Sequence, residues 1–489
     1  MKTFKSISNL LVYAQKHLCL QGADVAYVAN TILDALNLST FQYSPSAKVS
    51  DDIDKLLTEF ATTAVSEGVF EKGYEAYYCD KIMGILSLRP SQVDEQFQQV
   101  LRAHGGEKAM DFLYDYSVKN NYVKKAILDK NPRFDSNGLV VTINLAKPEF
   151  RDPKKAASGN SVAGGYPKCV ICRENEGFVP RNKCTLRTVS LTLSGKPWFW
   201  QYSPYGYFHQ HGIAVNVQHT PMNVTRETVS NLLQFVDVFP HYFIGCNAAL
   251  ERIGGSVLGH DHYQGGGEIL PLHKAPIKRY FALKGYEDLT VGVLDWPGTV
   301  LRIAGQDKDK ICDLTDKLRE AWVNYTDENL GIICKTDKGQ HNAISPTAIK
   351  KGAGYEMNVI LRSNITSEQY PDGIFHAHPE FHVIKKESIG LIEAQGLFIL
   401  PGRLVNQLAQ VEDCIVKGSQ LPSDLMEFEM VYNETKSLAK SLSAKAVHAA
   451  MQQELGSICY RILQNTAVFK TDEQFTAFLK SLGFVEKEG

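Results

Sequence analysis

Two histidines one residue apart, a glutamine two residues on and a glycine run make up Gly259-His260-Asp261-His262-Tyr263-Gln264-Gly265-Gly266-Gly267. An imidazole is neutral enough at pH 7 to attack as a nucleophile or to bind a metal. On a strand, residues i and i+2 point to one face, about 7 Å apart. One ring can then be fixed by a metal while the other attacks. The glycines would let a charged substrate approach the backbone closely. Upstream, Cys169-Val170-Ile171-Cys172 offers two thiolates at a spacing that suits tetrahedral zinc, with sulfurs roughly 2.3 Å from the metal. Redox use is the rival reading, but no thioredoxin-like strand and helix surround the pair. In the basic loop from Lys147 to Lys155, the fork of Arg151 matches phosphate oxygens; a solvated linker is the alternative.

These residues need elements to hold them. A chain of 489 residues is long enough for two or more domains with sizeable cores. Its 44% hydrophobic and 22% charged residues fit a soluble globular protein. A net charge of −2 gives no basic field for nucleic acid. Ten scattered cysteines with one tight pair suit a reducing cytosol rather than a disulfide framework. The short apolar patch from Leu10 to Tyr13 is broken by Lys16 and His17, so neither a signal peptide nor a membrane span is expected, and the protein is expected in the cytoplasm.

Residues 1–130 read as a helical region. Leu10, Leu11, Ala14 and Leu18 recur at helical spacing, as do Val25, Val28, Ile32 and Leu36. Ser91 looks like the cap of a helix running through Arg102, and Phe112, Tyr116 and Val118 suggest another. Asn131-Pro132 marks a boundary. Strands are predicted at Leu139–Leu145, Arg187–Leu193, Trp198–Tyr202 and Gly212–Val217, with a turn at Gly195-Lys196-Pro197. The aromatic run from Trp198 to Phe208 suits sheet core; stacking on a base is the alternative. Thr225–Phe239 is an amphipathic helix with Val229, Leu232, Leu233 and Val236 on its apolar stripe.

The second half reads similarly. Val291–Leu301 is strand, turn, strand, and Asp313–Tyr325 is a helix with Leu314, Leu318 and Trp322 inward. Gly339-Gln340-His341-Asn342-Ala343 precedes Phe375-His376-Ala377-His378. Two halves that each carry strands, a helix and a terminal His-x-His imply a duplicated unit. Four segments follow: 1–130 helical, 131–275 with the CxxC pair and HDHYQ, 276–400 with HAH, and 401–489 helical, where Leu425, Phe428 and Val431 keep helical spacing.

Asn247, then Gly254-Gly255-Ser256, then His260-Asp261-His262-Tyr263-Gln264 resembles the active-site segment of the galactose-1-phosphate uridylyltransferases, of the histidine-triad superfamily. Cys169, Cys172 and His219 fall in the family's order, as do Trp296-Pro297, His341 and the closing His376-Ala377-His378. Asp261 and Tyr263 stand where the common pattern has proline and glycine, which resembles the divergent branch in Gram-positive bacteria. The resemblance implies an α+β fold of two histidine-triad-like antiparallel sheet units with covering helices. It implies transfer of UMP from UDP-glucose to galactose 1-phosphate through a uridylyl-histidine, by a cytoplasmic homodimer. His262 is then the nucleophile. Gln264, Ser256, Gly255, Asn247 and Arg151 hold phosphate oxygens, and Lys386 and Gln395 reach the hexose. Zinc sits on Cys169, Cys172, His219 and His260. A second divalent metal would use His341, His376 and His378, with Glu268 the nearest carboxylate. A dinucleoside-polyphosphate phosphorylase of the same superfamily and a zinc-stabilised binding module are the rival readings.

Overall fold

The computed structural model describes residues 1–145, 165–254 and 257–487, so Arg151, Gly255 and Ser256 lie outside the described residues. Helices and mainly antiparallel sheet give the expected α+β class. The described residues form two compact units. One comprises 1–129, 165–206 and 210–219; the other comprises 130–145, 207–209, 220–254 and 257–487. Compactness therefore groups the residues differently from the four linear segments.

In the first unit the N-terminal helices are Lys2–His17, Val25–Ala35, Ile53–Ser66, Glu75–Leu86 and Pro90–Lys119. The apolar stripes are buried as their spacing demands: Leu10, Leu11, Ala14 and Leu18 in one case, Val28, Ile32 and Leu36 in the next. Each such leucine or isoleucine contributes roughly 1.5–3 kcal/mol by leaving water. The helix expected from Ser91 starts earlier. Pro90 takes the first position, where its missing N–H costs nothing, and the Arg89 N–H donates to Gln92 Oε1 at 3.0 Å. It also runs on to Lys119, broken at Gly105, whose φ of 83° a helix cannot hold. The helix predicted around Phe112 is its second arm. Val189–Leu193, Lys196–Tyr202 and Gly212–Asn216 make an antiparallel run. Its first turn is Ser194-Gly195, both at positive φ, so Lys196 and Pro197 belong to the strand. Trp198, Phe199, Trp200 and Tyr202 are sheet core.

In the second unit a small sheet pairs Leu139–Asn144 with Arg133–Ser136 and, in parallel, with Leu397–Pro401. Its apolar side is covered by the helices Leu404–Lys417, Glu429–Leu438 and Ala444–Thr466. The larger antiparallel sheet runs in the order Val485–Glu486, Ile277–Ala282, Thr290–Leu294, Val300–Gly305, Gly354–Ser363, Asn342–Lys351, Phe243–Gly245, His262–Gly266. Helices Arg226–Val238 and Lys308–Val323 pack on the Asn342–Lys351 strand. Thr225 caps the first of them, and Asp307 caps the second by accepting from the Lys310 N–H at 3.1 Å. Val229, Leu232, Leu233 and Val236, and likewise Leu314, Leu318 and Trp322, are buried.

The element order recurs. Three strands, a helix and two strands occupy 189–266 and again 277–363, counting the longer elements. The closing histidines are not equivalent, however. His262 opens the last strand of the first series, whereas His376 and His378 lie in a loop beyond Gly354–Ser363.

Candidate active site

The His262–Gly266 strand pairs antiparallel with Phe243–Gly245, placing Gln264 opposite Gly245. Alternation along the strand turns His262 and Gln264 to one face and Tyr263 to the other. The Tyr263 hydroxyl is bonded to Asn231 at 3.0 Å, which ties the strand to the Arg226–Val238 helix. A bulky residue between the two polar ones thus anchors them from behind.

His262 is buried, and its Nδ1 lies 2.7 Å from the backbone carbonyl of His260. A carbonyl only accepts, so Nδ1 carries the hydrogen and Nε2 keeps its lone pair. Burial pulls the ring's pKa below the ordinary 6.5, and the bond to the His260 carbonyl opposes that only in part. The ring is therefore neutral at pH 7, of fixed tautomer. Asn247 is 1% exposed. Its Oδ1 accepts from the Leu391 N–H at 3.0 Å, while its Nδ2 has no partner among the described residues. A buried donor left over in this way is a place for an acceptor from a ligand.

The first glycine after Gln264 also has a packing role. A Cβ on Gly265 would stand 2.3 Å from the Phe243 carbonyl oxygen, so its smallness serves the approach of the neighbouring strand.

In the first unit the Sγ atoms of Cys169 and Cys172 lie 3.3 Å apart, and Cys172 Sγ lies 3.2 Å from His219 Nδ1. The turn that carries the thiols is tied from outside. Asn175 Nδ2 donates to the carbonyls of Cys169 and Cys172, both at 2.8 Å, and Arg181 Nη1 donates to the Cys169 carbonyl at 2.8 Å and to Asn175 Oδ1 at 3.0 Å. Two soft thiols and an imidazole, aimed at one point, are a donor set suited to zinc. Burial and the neighbouring sulfur push the Cys172 thiol up to about 12; a bound dication reverses that, since it takes the thiolate. His260 belongs to the second unit, buried two residues before His262.

The remaining predicted ligands make hydrogen bonds or ion pairs of their own. His341 has Nδ1 on Asn364 Oδ1 at 2.8 Å and Nε2 on Thr336 Oγ1 at 2.7 Å. His376 Nδ1 faces the Ala377 carbonyl at 3.2 Å. His378 faces the Ile374 carbonyl at 3.1 Å and stacks on Tyr370. Glu268 pairs with Arg133. Among the described residues these four are not gathered into one metal-holding group. Gln395 is fully buried rather than facing a sugar. Its Oε1 accepts from His273 Nε2 at 2.9 Å and from the Thr347 hydroxyl at 3.0 Å, and its Nε2 donates to the Leu391 carbonyl at 3.2 Å. Lys386 is exposed; its neighbour Lys385 is the buried one, with Nζ 2.9 Å from Glu393 Oε1.

Sequence reasoning missed Asn175, Arg181, His273 and Arg362. The first three bear no motif. Arg362 did leave a trace: it closes the apolar run Val359-Ile360-Leu361, where a strand buried on both faces has no ordinary place for a cation.

Comparison with known proteins now bears on this geometry. Residues 24–221 match the family description "Galactose-1-phosphate uridyl transferase, N-terminal domain", and residues 234–429 match its C-terminal domain. A galactose-1-phosphate uridylyltransferase of Bifidobacterium longum is 51% identical, covering 99% of both chains. Enzymes of the same name from Clostridium acetobutylicum and Lactococcus lactis subsp. lactis are 36% and 34% identical, covering 98% and 97% of this chain and 99% and 97% of theirs. The chain belongs to the galactose-1-phosphate uridylyltransferase family. The uridylyltransferases are nucleotidyltransferases, and the protein is an enzyme of that class. A solved yeast Ap4A phosphorylase aligns at 11% identity over 65% of this chain and 90% of its own, with a TM-score of 0.33, too slight a likeness to carry weight. No described helix is long and apolar enough to cross a membrane.

Proposed function

We propose that this uridylyltransferase moves UMP from UDP-glucose to galactose 1-phosphate, giving UDP-galactose and glucose 1-phosphate in two displacements. The observation that carries the reading is the buried His262 ring, held neutral with Nδ1 on the His260 carbonyl. Direct attack of one phosphate on another sets like charges against each other, and a neutral imidazole avoids that. His262 Nε2 forms a bond to the α-phosphorus. The bond from that phosphorus to the sugar-phosphate oxygen breaks, and glucose 1-phosphate leaves with the electron pair. The imidazolium is stabilised by the His260 carbonyl. A phosphate oxygen of galactose 1-phosphate then attacks, the P–N bond breaks, and the ring returns to neutrality.

Gln264, Asn247 and Ser256 are neutral donors that can follow charge onto the non-bridging oxygens; Gly255 and Arg151 complete the phosphate contacts. Lys386 is assigned to the hexose. Zinc on Cys169, Cys172, His219 and His260 would keep the nucleophile's strand rigid rather than activate water. The family resemblance supports a homodimer in the cytoplasm.

Incubation with UDP-glucose alone should raise the protein mass by one UMP on His262, acid-labile, and release glucose 1-phosphate. Kinetics that require both substrates bound together, with no adduct, overturn the two-step path.

A further inference from the structure

Arg362 is 1% exposed, and its guanidinium is mostly unspent. Nη2 donates to the Ile389 carbonyl at 2.7 Å; Nε and Nη1 have no partner among the described residues. The neighbouring carboxylate, Glu393, acts on it electrostatically, but its oxygens are taken by Lys385 Nζ at 2.9 Å and the Gly390 N–H at 3.2 Å. A buried cation with idle N–H groups is costly unless something anionic completes it.

Register places this group on the reactive face. Gln264 lies opposite Gly245, Gly245 opposite Thr347, and Thr347 opposite Asn358. Residues opposite one another share a face, and so do alternate residues along a strand. His262, Gln264 and Arg362 therefore point to the same side of the sheet. One short segment crosses there: Arg362 holds the Ile389 carbonyl, and Asn247 holds the Leu391 N–H. Each of the two side chains keeps a donor in reserve.

We infer that Arg362 binds the phosphate of the sugar 1-phosphate, the group that leaves in the first displacement and attacks in the second. This rests on the uridylyl-transfer reading above. UMP's own oxygens meet neutral donors, as a readily reversed adduct requires. The sugar 1-phosphate arrives and departs as a dianion, and a guanidinium fork is the side chain that matches two of its oxygens. The contact discriminates the exchanged partner from the retained nucleotide.

The test uses the full-length protein carrying His262→Asn, which binds without reacting. Calorimetry compares glucose 1-phosphate with UMP, with and without Arg362→Gln. Glucose 1-phosphate affinity should fall at least tenfold and UMP affinity by less than twofold. In the reactive protein the KM for galactose 1-phosphate should rise while adduct formation from UDP-glucose persists. Equal loss of both ligands, or of neither, makes Arg362 a strut for Ile389 and overturns the assignment. If the glutamine variant does not fold, Arg362→Lys carries the same comparison. An ammonium is a point charge without the planar fork that matches two phosphate oxygens, so glucose 1-phosphate should weaken at least fivefold against an unchanged UMP. No UMP adduct in the unsubstituted protein defeats the underlying transfer reading instead, whatever Arg362 binds.

Discussion

At the scale of single residues, the chemistry depends on rings whose protons are fixed by burial. His273 shows the cost. It is buried, and burial with the nearby Arg302 cation draws its pKa from 6.5 to about 3, although the bond to Gln395 works against this. Asn358 Nδ2 donates to its Nδ1 at 3.0 Å, so no acceptor waits there for a second proton. Below pH 6.5 the unfolded chain binds a proton that the folded one refuses, so stability is full above that pH and falls as pH drops towards 3. At pH 5 the loss is about 2 kcal/mol for this one group. Urea unfolding at pH 7 and pH 5 should show it, and His273→Asn should shrink the difference by that amount; an equal fall in both proteins overturns the assignment. His262 and the CxxC pair drew notice by their type and spacing, and Asn247 only through the family resemblance. A polar residue near a motif, such as Gln395, looks the same in sequence whether it faces a sugar or a buried histidine. Nothing in the order of residues tells which acceptor has already been claimed.

At the scale of elements, the strand carrying Gly245 is the hinge of the arrangement. A Cβ there would come within 2.9 Å of Leu391 Cδ2, Thr347 Cβ and the Pro346 carbonyl oxygen. Gly245→Ala should therefore cost about 1–3 kcal/mol by overpacking. It should also displace the segment held by Asn247 and Arg362, raising the KM for galactose 1-phosphate more than that for UDP-glucose. A melting temperature and KM values equal to those of the unsubstituted enzyme would show that the segment tolerates a methyl group. The helices over this sheet were readable from their apolar stripes, although the second begins at Lys308 rather than at Asp313. The long N-terminal helix was not. Its hydrophobic period fails across the kink at Gly105, so two arms looked like two helices.

At the scale of the whole molecule, the fold class came with the family resemblance, while the repeated element order was visible because periodicity and turn chemistry are local. The grouping into compact units was not, since it depends on which distant faces meet. The thiol pair is the constraint most open to experiment. About one zinc per chain should accompany the purified protein. Cys169→Ser should remove it and lower the thermal transition, and a chelator should do the same to the unsubstituted enzyme. A variant that retains full metal content would strike Cys169 from the ligand set.

The acceptor that aims His262 is a peptide carbonyl two residues upstream, not a side chain. Ordinary mutation cannot delete it. Drift at neighbouring positions can alter what the enzyme accepts while the orientation of the His262 Nε2 is inherited unchanged. An ester or thioamide written into the backbone by chemical synthesis would be the direct way to retune that ring.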